Sequence, residues 1–305
     1  MKKYKFRKIQ WFVAGTVAVL LCGPFLASDA ATRRASAQAI INPADLGARV
    51  DNPYFTLAPG ATFDYKRSAT DGSTETVKTI VTNQTREVMG VKTVVVWDRA
   101  WLDGKLIEDT YDWYAQDKEG NVWYFGEDTK QYKDGTVIGT KGSWEGGVNS
   151  AEPGIIMKAR PKVGDSYRQE YSKGIAEDTA QVLALDQVVS TPYGSFTGCL
   201  QTLDTSTLEP ALKENKYYCP RAGGNVTLVV DTVANDREGL VNVHTDADFA
   251  STGQALPPVT PAATPGMPST GQPASHALET VVLAFCLVLS GLGLRSYLRE
   301  EKGWR

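Results

Sequence analysis

Glycine-containing turn pairs recur through the middle of this 305-residue chain and set limits on its fold. Glycine supplies the positive φ that tight antiparallel turns need, so such pairs between β-branched and apolar runs predict hairpins. The pairs are Asp71-Gly72, Met89-Gly90, Asp103-Gly104, Glu119-Gly120, Asp134-Gly135 and Tyr193-Gly194. They predict a mainly all-β domain, built as a meander of fairly long antiparallel strands.

The segments between these turns give the clearest strand patterns. The predicted strands are residues 76–82, 92–99, 106–115, 122–127, 166–171, 181–189, 226–232 and 239–244. Residues 175–187 are also compatible with a short helix, but their valines and leucines favour a strand. Residues 145–163 are rich in Gly and Pro and break the meander, as a long loop or a hinge, and we favour the loop.

Residues 109–128 form the most distinctive stretch, an aromatic hairpin. Strand alternation puts Tyr111 and Trp113 on one face, and Asp112 and Tyr114 on the other. A sheet with one buried and one solvent-exposed face would show a stricter alternation of apolar and polar residues. We therefore expect a curved sheet whose concave face is filled or covered, with aromatic side chains on its outer face as well.

These aromatic residues have two explanations. Cross-strand packing is the favoured one, since large aromatic pairs stabilise sheets. The alternative is a platform that contacts a glycan or lipid ligand, because the polar tips of Tyr and Trp suit a partly wet surface. The candidate ligand-contacting residues are Trp97, Trp101, Trp113, Tyr114, Trp123, Tyr124 and Trp144.

The two ends of the chain carry targeting signals. Residues 1–39 combine a basic start, an apolar run and small residues around Ala37 and Ala39, which predicts a secretory signal peptide removed by signal peptidase. Residues 40–250 are then an extracellular β domain. Residues 251–275 are rich in Pro, Ala and Thr and predict an extended stalk.

The C-terminal region has three parts in a fixed order. Met267-Pro268-Ser269-Thr270-Gly271 is followed by an apolar segment, 277–294, and a basic tail, 295–305. This order resembles the sorting signal of sortase substrates, Leu-Pro-x-Thr-Gly, and only the first position departs from it. The resemblance implies that a sortase cuts after Thr270 and joins the chain to peptidoglycan. The alternative is a permanent transmembrane anchor, for which a run of about 15 uncharged residues is short.

The cysteines and the charged residues limit the chemistry that residues 40–250 can support. Cys199 and Cys219 are the two thiols of an exported domain, which favours a disulfide. The domain holds 31 Asp and Glu against 21 Lys and Arg. This acidic excess argues against nucleic acid as a partner, and solubility is its simplest explanation.

A family resemblance covers most of residues 54–232. Besides the aromatic hairpin, it rests on residues 161–167, residues 189–196 and Lys216-Tyr217-Tyr218. Together they resemble a recurrent bacterial family of secreted proteins and lipoproteins of unknown function. The Thr-Pro-x-Gly-x-Phe hairpin is similar to that of export proteins whose sheet curls into a half-barrel, as in lipoprotein carriers. The resemblance implies a curved antiparallel sheet, half-barrel or open-barrel-like, which could surround an apolar groove.

No catalytic constellation is present in the domain sequence. His244 is its one histidine, and the common nucleophile, phosphate-loop and zinc motifs are missing. Asp117, Glu119 and Asn121 fit a hairpin tip better than a calcium loop. We predict no catalytic residues, metal or cofactor, and a non-enzymatic cell-surface protein with a binding or envelope-structural role. The alternatives are a carrier or sensor of an apolar or glycan ligand in the concavity of the sheet, and a hydrolase with two carboxylates.

Overall fold

A computed structural model describes residues 41–68, 72–247 and 249. Its strands are β1 Leu46–Gly47, β2 Val50–Asn52, β3 Phe55–Leu57, β4 Ala61–Ser68, β5 Thr74–Val88, β6 Val91–Leu102, β7 Lys105–Asp117, β8 Val122–Lys133, β9 Thr136–Gly139, β10 Trp144–Glu145, β11 Glu152–Met157, β12 Ser166–Arg168, β13 Glu170–Tyr171, β14 Asp178–Thr191, β15 Gly194–Ser206, β16 Lys213–Tyr218, β17 Val226–Asp231 and β18 Arg237–Thr245. Two short 3₁₀ helices span Pro43–Asp45 and Pro220–Ala222. Within these residues, no helix has the length and apolarity needed to cross a membrane.

One curved antiparallel sheet contains sixteen of the strands, and β2 and β3 form a separate ribbon. The path through the large sheet is β12-β14-β15-β16-β17-β18-β4-β5-β6-β7-β8-β11-β13. The short strands β1, β9 and β10 pair beside this path, with β7 or β8. The predicted all-β class and the curved antiparallel sheet are confirmed.

Three predicted turn pairs have the backbone that the sequence requires. Both residues of Met89-Gly90, Asp103-Gly104 and Asp134-Gly135 have positive φ. They join β5 to β6, β6 to β7 and β8 to β9 in two-residue hairpins. Primed turns of this kind match the twist of the flanking strands, which explains why glycine stands at each second position.

The loop predicted over residues 145–163 is wrong in part. Strand β11 lies within it and pairs with β8, with Gly154 opposite Tyr124. Pro153 and Gly154 resemble loop residues in the sequence. Glycine inside a strand often marks a close approach of another backbone, and here β13 pairs with β11 on its other edge. The short helix considered for residues 175–187 is replaced by β14, as the valines favoured.

The two ends of the sheet are joined by one short segment. Strand β12 pairs with β14 at one end of the path, and β13 pairs with β11 at the other. Only Gln169 separates β12 from β13, and its N–H donates to Asp178 O over 2.9 Å. Residues 166–171 therefore bring the two edges together, and the sheet is nearly closed.

The β2–β3 ribbon fills part of the interior of the curved sheet. The Phe55 ring lies 5.4 Å from Tyr114 on β7 and 6.5 Å from Tyr218 on β16. The ribbon is fixed to the surrounding chain where the Asn52 side chain donates to Gly120 O over 2.9 Å. The aromatic contacts from two distant strands show that the concavity is occupied by protein.

The two faces of the sheet carry separate apolar clusters. Tyr114 and Tyr124 belong to the main interior core. Tyr111, Trp113 and Phe125 belong to a second cluster on the outer face. The predicted combination of a filled concave face and outer aromatic packing is confirmed.

The predicted disulfide is present. Cys199 on β15 is bonded to Cys219, just after β16, with a Cα–Cα distance of 4.3 Å. Both cysteines are fully buried. The bond therefore ties two neighbouring strands at a point that solvent does not reach.

Candidate functional site: an interior carboxyl cluster

The acidic excess of the domain lies inside it. The described residues hold 29 Asp and Glu and 21 Lys and Arg. Eleven of these acids but only two of these bases, Arg67 and Lys216, are buried, so the remaining 18 acids and 19 bases are nearly balanced. The buried acids are Glu75, Asp98, Glu108, Asp112, Glu127, Asp128, Glu170, Asp178, Asp204, Glu214 and Asp231. Solubility, the explanation expected from the sequence, therefore does not account for the excess.

The Tyr124 hydroxyl lies between two buried carboxyl groups. Its oxygen is 2.6 Å from Asp112 Oδ1 and 2.8 Å from Glu127 Oε2. A phenol has one proton and can donate to only one of them. The other short contact needs a proton on the carboxyl group, so Asp112 or Glu127 is a neutral acid when both bonds form.

Asp98 and Asp112 form an acid pair on β6 and β7. Thr79 donates its hydroxyl proton to Asp98 Oδ1. Asp98 Oδ2 and Asp112 Oδ2 are buried and have no other donor, and the two side chains are within hydrogen-bonding reach of each other. Two adjacent carboxylates repel strongly away from water, whereas one shared proton makes the contact a hydrogen bond.

Glu170 and Asp178 form a second acid pair where the sheet closes. Trp144 Nε1 donates to Glu170 Oε2 over 2.9 Å. Glu170 Oε1 and Asp178 Oδ2 are buried without another donor, and these two side chains also lie within hydrogen-bonding reach. We call Asp98, Asp112, Glu127, Glu170 and Asp178, which are 0–2% exposed, the interior carboxyl cluster.

Burial favours the neutral form of every member of the cluster. Loss of hydration raises the pKa of Asp112 to about 7 and that of Asp178 to about 6. The pKa values of Asp98, Glu127 and Glu170 are raised well above their usual range, first by burial and then by neighbouring carboxylates. The cluster can therefore hold protons at a pH where free carboxyl groups are ionised.

Lys216 on β16 is a buried ammonium group whose charge acts on the cluster. Its Nζ lies 3.0 Å from Asp204 Oδ2, and both side chains are fully buried. Asp204 also accepts from the Thr202 hydroxyl over 2.7 Å and from Gln169 Nε2 over 3.2 Å. Lys216 thus neutralises one carboxylate and lowers the pKa of Glu170 and Asp178, against the larger effect of burial.

A β-bulge on β8 sets the direction of Glu127. Trp113 is opposite Gly126, and Tyr114 is opposite Tyr124, so one extra residue is inserted on β8. Gly126 adopts φ +130° there, which suits glycine. Without the bulge, Glu127 would alternate away from Tyr124 instead of lying beside it.

The sequence signal for this cluster is an acidic residue within the apolar alternation of a strand, as on β6. Val94, Val96 and Ala100 share the apolar inner face of that strand with Asp98. A carboxyl group in the middle of an apolar alternation is unusual, because an ionised group is costly to bury. The same reasoning applies to Asp112, two residues before Tyr114.

The seven aromatic candidates do not form one platform. Tyr114, Tyr124 and Trp144 pack together inside the sheet, with ring centroids 4.8 Å and 5.4 Å apart along the row. Trp113 is buried on the outer face beneath Arg86.

The remaining candidates, Trp97, Trp101 and Trp123, are partly exposed. Arg99 lies 3.6 Å from the Trp97 ring centroid, and Trp123 Nε1 donates to Asp117 over 2.8 Å. Ligand contact by any of the seven stays a prediction.

In the part of the chain that the structure describes, no group of three or more His, Cys, Asp or Glu side chains has the arrangement of a metal site. The signal peptide 1–39, the stalk, the sorting motif Met267–Gly271 and segment 277–294 lie outside the described residues.

Comparisons with known proteins give only distant likenesses. No protein-family model and no curated protein matches the chain. A protein described as exported, with a YmcC-like fold, from Bacteroides fragilis NCTC 9343 is similar in structure with 14% identity and a TM-score of 0.38, over 63% of this chain and 98% of that one. A protein described as a lipoprotein from Parabacteroides distasonis ATCC 8503 gives 10% identity and a TM-score of 0.33 over the same shares. Likenesses at these scores support no conclusion about this chain.

Proposed function

We propose that this chain is an exported protein held at the cell surface, whose β domain acts without catalysis as a structural or binding module of the envelope. The signal peptide and the C-terminal sorting region predicted from the sequence support the location. The observation that carries the non-catalytic role is the burial of the interior carboxyl cluster at 0–2% exposure. A glycosidase-like pair of carboxyl groups must reach its substrate, and these acids face only protein.

The packed interior also favours this role over that of a carrier. A ligand in the concavity would have to displace Phe55 from its contacts with Tyr114 and Tyr218. Binding would then take place on the outer surface, where Trp97, Trp101 and Trp123 are partly exposed. A carrier or sensor of an apolar or glycan ligand is the alternative, and the native mass of the protein distinguishes the two.

The location is tested at the C-terminus of the protein released from digested cell walls. We expect its peptide to end at Thr270, joined to a wall fragment. Thr270→Ala should leave the protein in the membrane fraction or the medium, and Ser269→Ala, at the variable position of the motif, should leave anchoring unchanged. Wall-released protein that keeps residues 271–305 would exclude sortase processing.

The role is tested by the mass of the exported protein under native and denaturing conditions. Because the interior is occupied by side chains, we expect the native and the denatured mass to be equal. A native mass that is heavier, with the excess lost on denaturation, would show a bound ligand and replace the structural role by that of a carrier. Trp144→Phe, inside the sheet, and Trp101→Phe, on the outer face, would then locate the ligand.

A further inference from the structure

We propose that the interior carboxyl cluster is a proton-binding site: the domain takes up protons when it folds and loses stability as its surroundings become alkaline. The ligand is the hydrogen ion. The site belongs to the folded domain and is independent of the proposed surface role.

The hydrogen-bond geometry requires protons in the cluster. The single Tyr124 proton serves two short contacts, with Asp112 and with Glu127. In the Asp98–Asp112 and Glu170–Asp178 pairs the two side chains are within hydrogen-bonding reach, and each carboxyl group has a buried oxygen without a donor. Each of these three contacts becomes a hydrogen bond when one carboxyl group is protonated.

A separate observation also points into the cluster. The Tyr114 hydroxyl is fully buried and has no hydrogen-bond partner. Its ring stacks on that of Tyr124, with centroids 4.8 Å apart, and Tyr124 is the phenol that contacts Asp112 and Glu127. Burial raises the pKa of the Tyr114 phenol, and the neighbouring acids raise it further. A buried hydroxyl is costly to leave unpaired.

The groups around the cluster do not supply enough positive charge to replace these protons. Arg67 on β4 is paired with Glu75 on β5 and with Asp236, and Lys216 on β16 is paired with Asp204 on β15. The other titratable groups that face the cluster from neighbouring strands are acids or phenols. They are Tyr65 on β4, Glu108 and Tyr114 on β7, and Tyr124 on β8. Tyr167 on β12 and Tyr218 on β16 lie near Asp204.

Protons fit this site better than a metal ion does. The acids meet in pairs rather than around one point, and the described residues contain no arrangement suited to a metal. Their side chains are 0–2% exposed, with their oxygens in contact with one another or with Thr79, Tyr124 and Trp144. A proton fits between two oxygens that are already in contact and needs no additional space.

The direction of the pH effect follows from the pKa values. An acid whose pKa is raised by folding contributes stability that is fully present below its unfolded pKa, about 4, and is lost as the pH rises through its folded pKa. That folded pKa is about 6 for Asp178 and about 7 for Asp112. Stability should therefore fall between roughly pH 4 and pH 7, and further where the more strongly shifted acids ionise.

The test is urea denaturation of the full chain, purified in mild detergent, from pH 5 to pH 8. We expect the unfolding equilibrium constant to rise roughly tenfold per pH unit for each proton that the folded state retains and the unfolded state lacks. Asp112→Asn replaces one acid by an amide that is itself a donor, so it should reduce this slope and make the variant more stable than the wild type at pH 8. Glu119→Gln, on an exposed turn, should leave the slope unchanged.

Three outcomes would overturn the proposal. The first is wild-type stability that stays constant or rises from pH 5 to pH 8, a result that needs no variant to fold. The second is an Asp112→Asn variant whose slope equals that of the wild type, with Asp178→Asn giving the same result. The third is full recovery of stability at pH 8 on addition of Ca²⁺, which would make the cluster a cation site.

Discussion

Replacing Gly154 with alanine should destabilise the domain by about 3 kcal/mol or more, as expected for a clash between backbone segments in a packed interior. A methyl group on Gly154 would lie 2.5 Å from the Arg168 carbonyl oxygen and would overlap the Gln169 backbone. Gly154 lies on β11, and Gln169 separates the two short strands that join the ends of the sheet. The substitution therefore forces the two edges apart at the point of closure.

The measurement is urea denaturation followed by tryptophan fluorescence. Gly47→Ala is the matched control, because Gly47 lies on edge strand β1, a methyl group there meets nothing within 4 Å, and no unusual φ is required. We expect the control to change stability by less than about 0.5 kcal/mol. Equal stability of the two variants would mean that the segment 166–171 does not hold the sheet closed.

Replacing Lys216 with methionine should cost about 3–5 kcal/mol at neutral pH, since it leaves the Asp204 carboxylate buried without its cation. Lys216 and Asp204 are both fully buried and 3.0 Å apart. Lys216 also lowers the pKa of Glu170 and Asp178, so its loss raises the proton affinity of that pair further.

Two variants separate the charge effect from packing. Lys213→Met is on the same strand but exposed, and should change stability by less than about 0.5 kcal/mol. Lys216→Met combined with Asp204→Leu removes both charges and should recover a large part of the loss. A double variant that is as unstable as Lys216→Met alone would show that Lys216 acts through its packing.

The hairpins of this fold could be predicted because their determinants are local. Asp103-Gly104 and Asp134-Gly135 indicate tight turns within two residues, and the β-branched runs around them indicate strands. Strand β11 could not be predicted in the same way, because Pro153 and Gly154 have the local character of a loop. Its place in the sheet depends on pairing with β8 on one edge and with β13, which is distant in the path of the sheet, on the other.

The carboxyl cluster could not be assembled from the sequence for a related reason. Asp98 and Asp112 are 14 positions apart, and their contact depends on the register of β6 and β7. The inward direction of Glu127 depends on the bulge at Gly126, and the Glu170–Asp178 pair depends on closure of the sheet. The sequence shows the acidic excess of the domain, but only the burial of each side chain in the structure identifies the acids that account for it.

Infrared spectroscopy of the carboxyl groups tests the central claim, protons held in the folded interior, most directly. Protonated and ionised carboxyl groups have separate carbonyl stretching bands. In the full chain at pH 7, we predict a protonated band that disappears in urea and weakens in Asp112→Asn and Asp178→Asn. A folded protein whose spectrum at pH 7 shows only ionised carboxylates would contradict the claim.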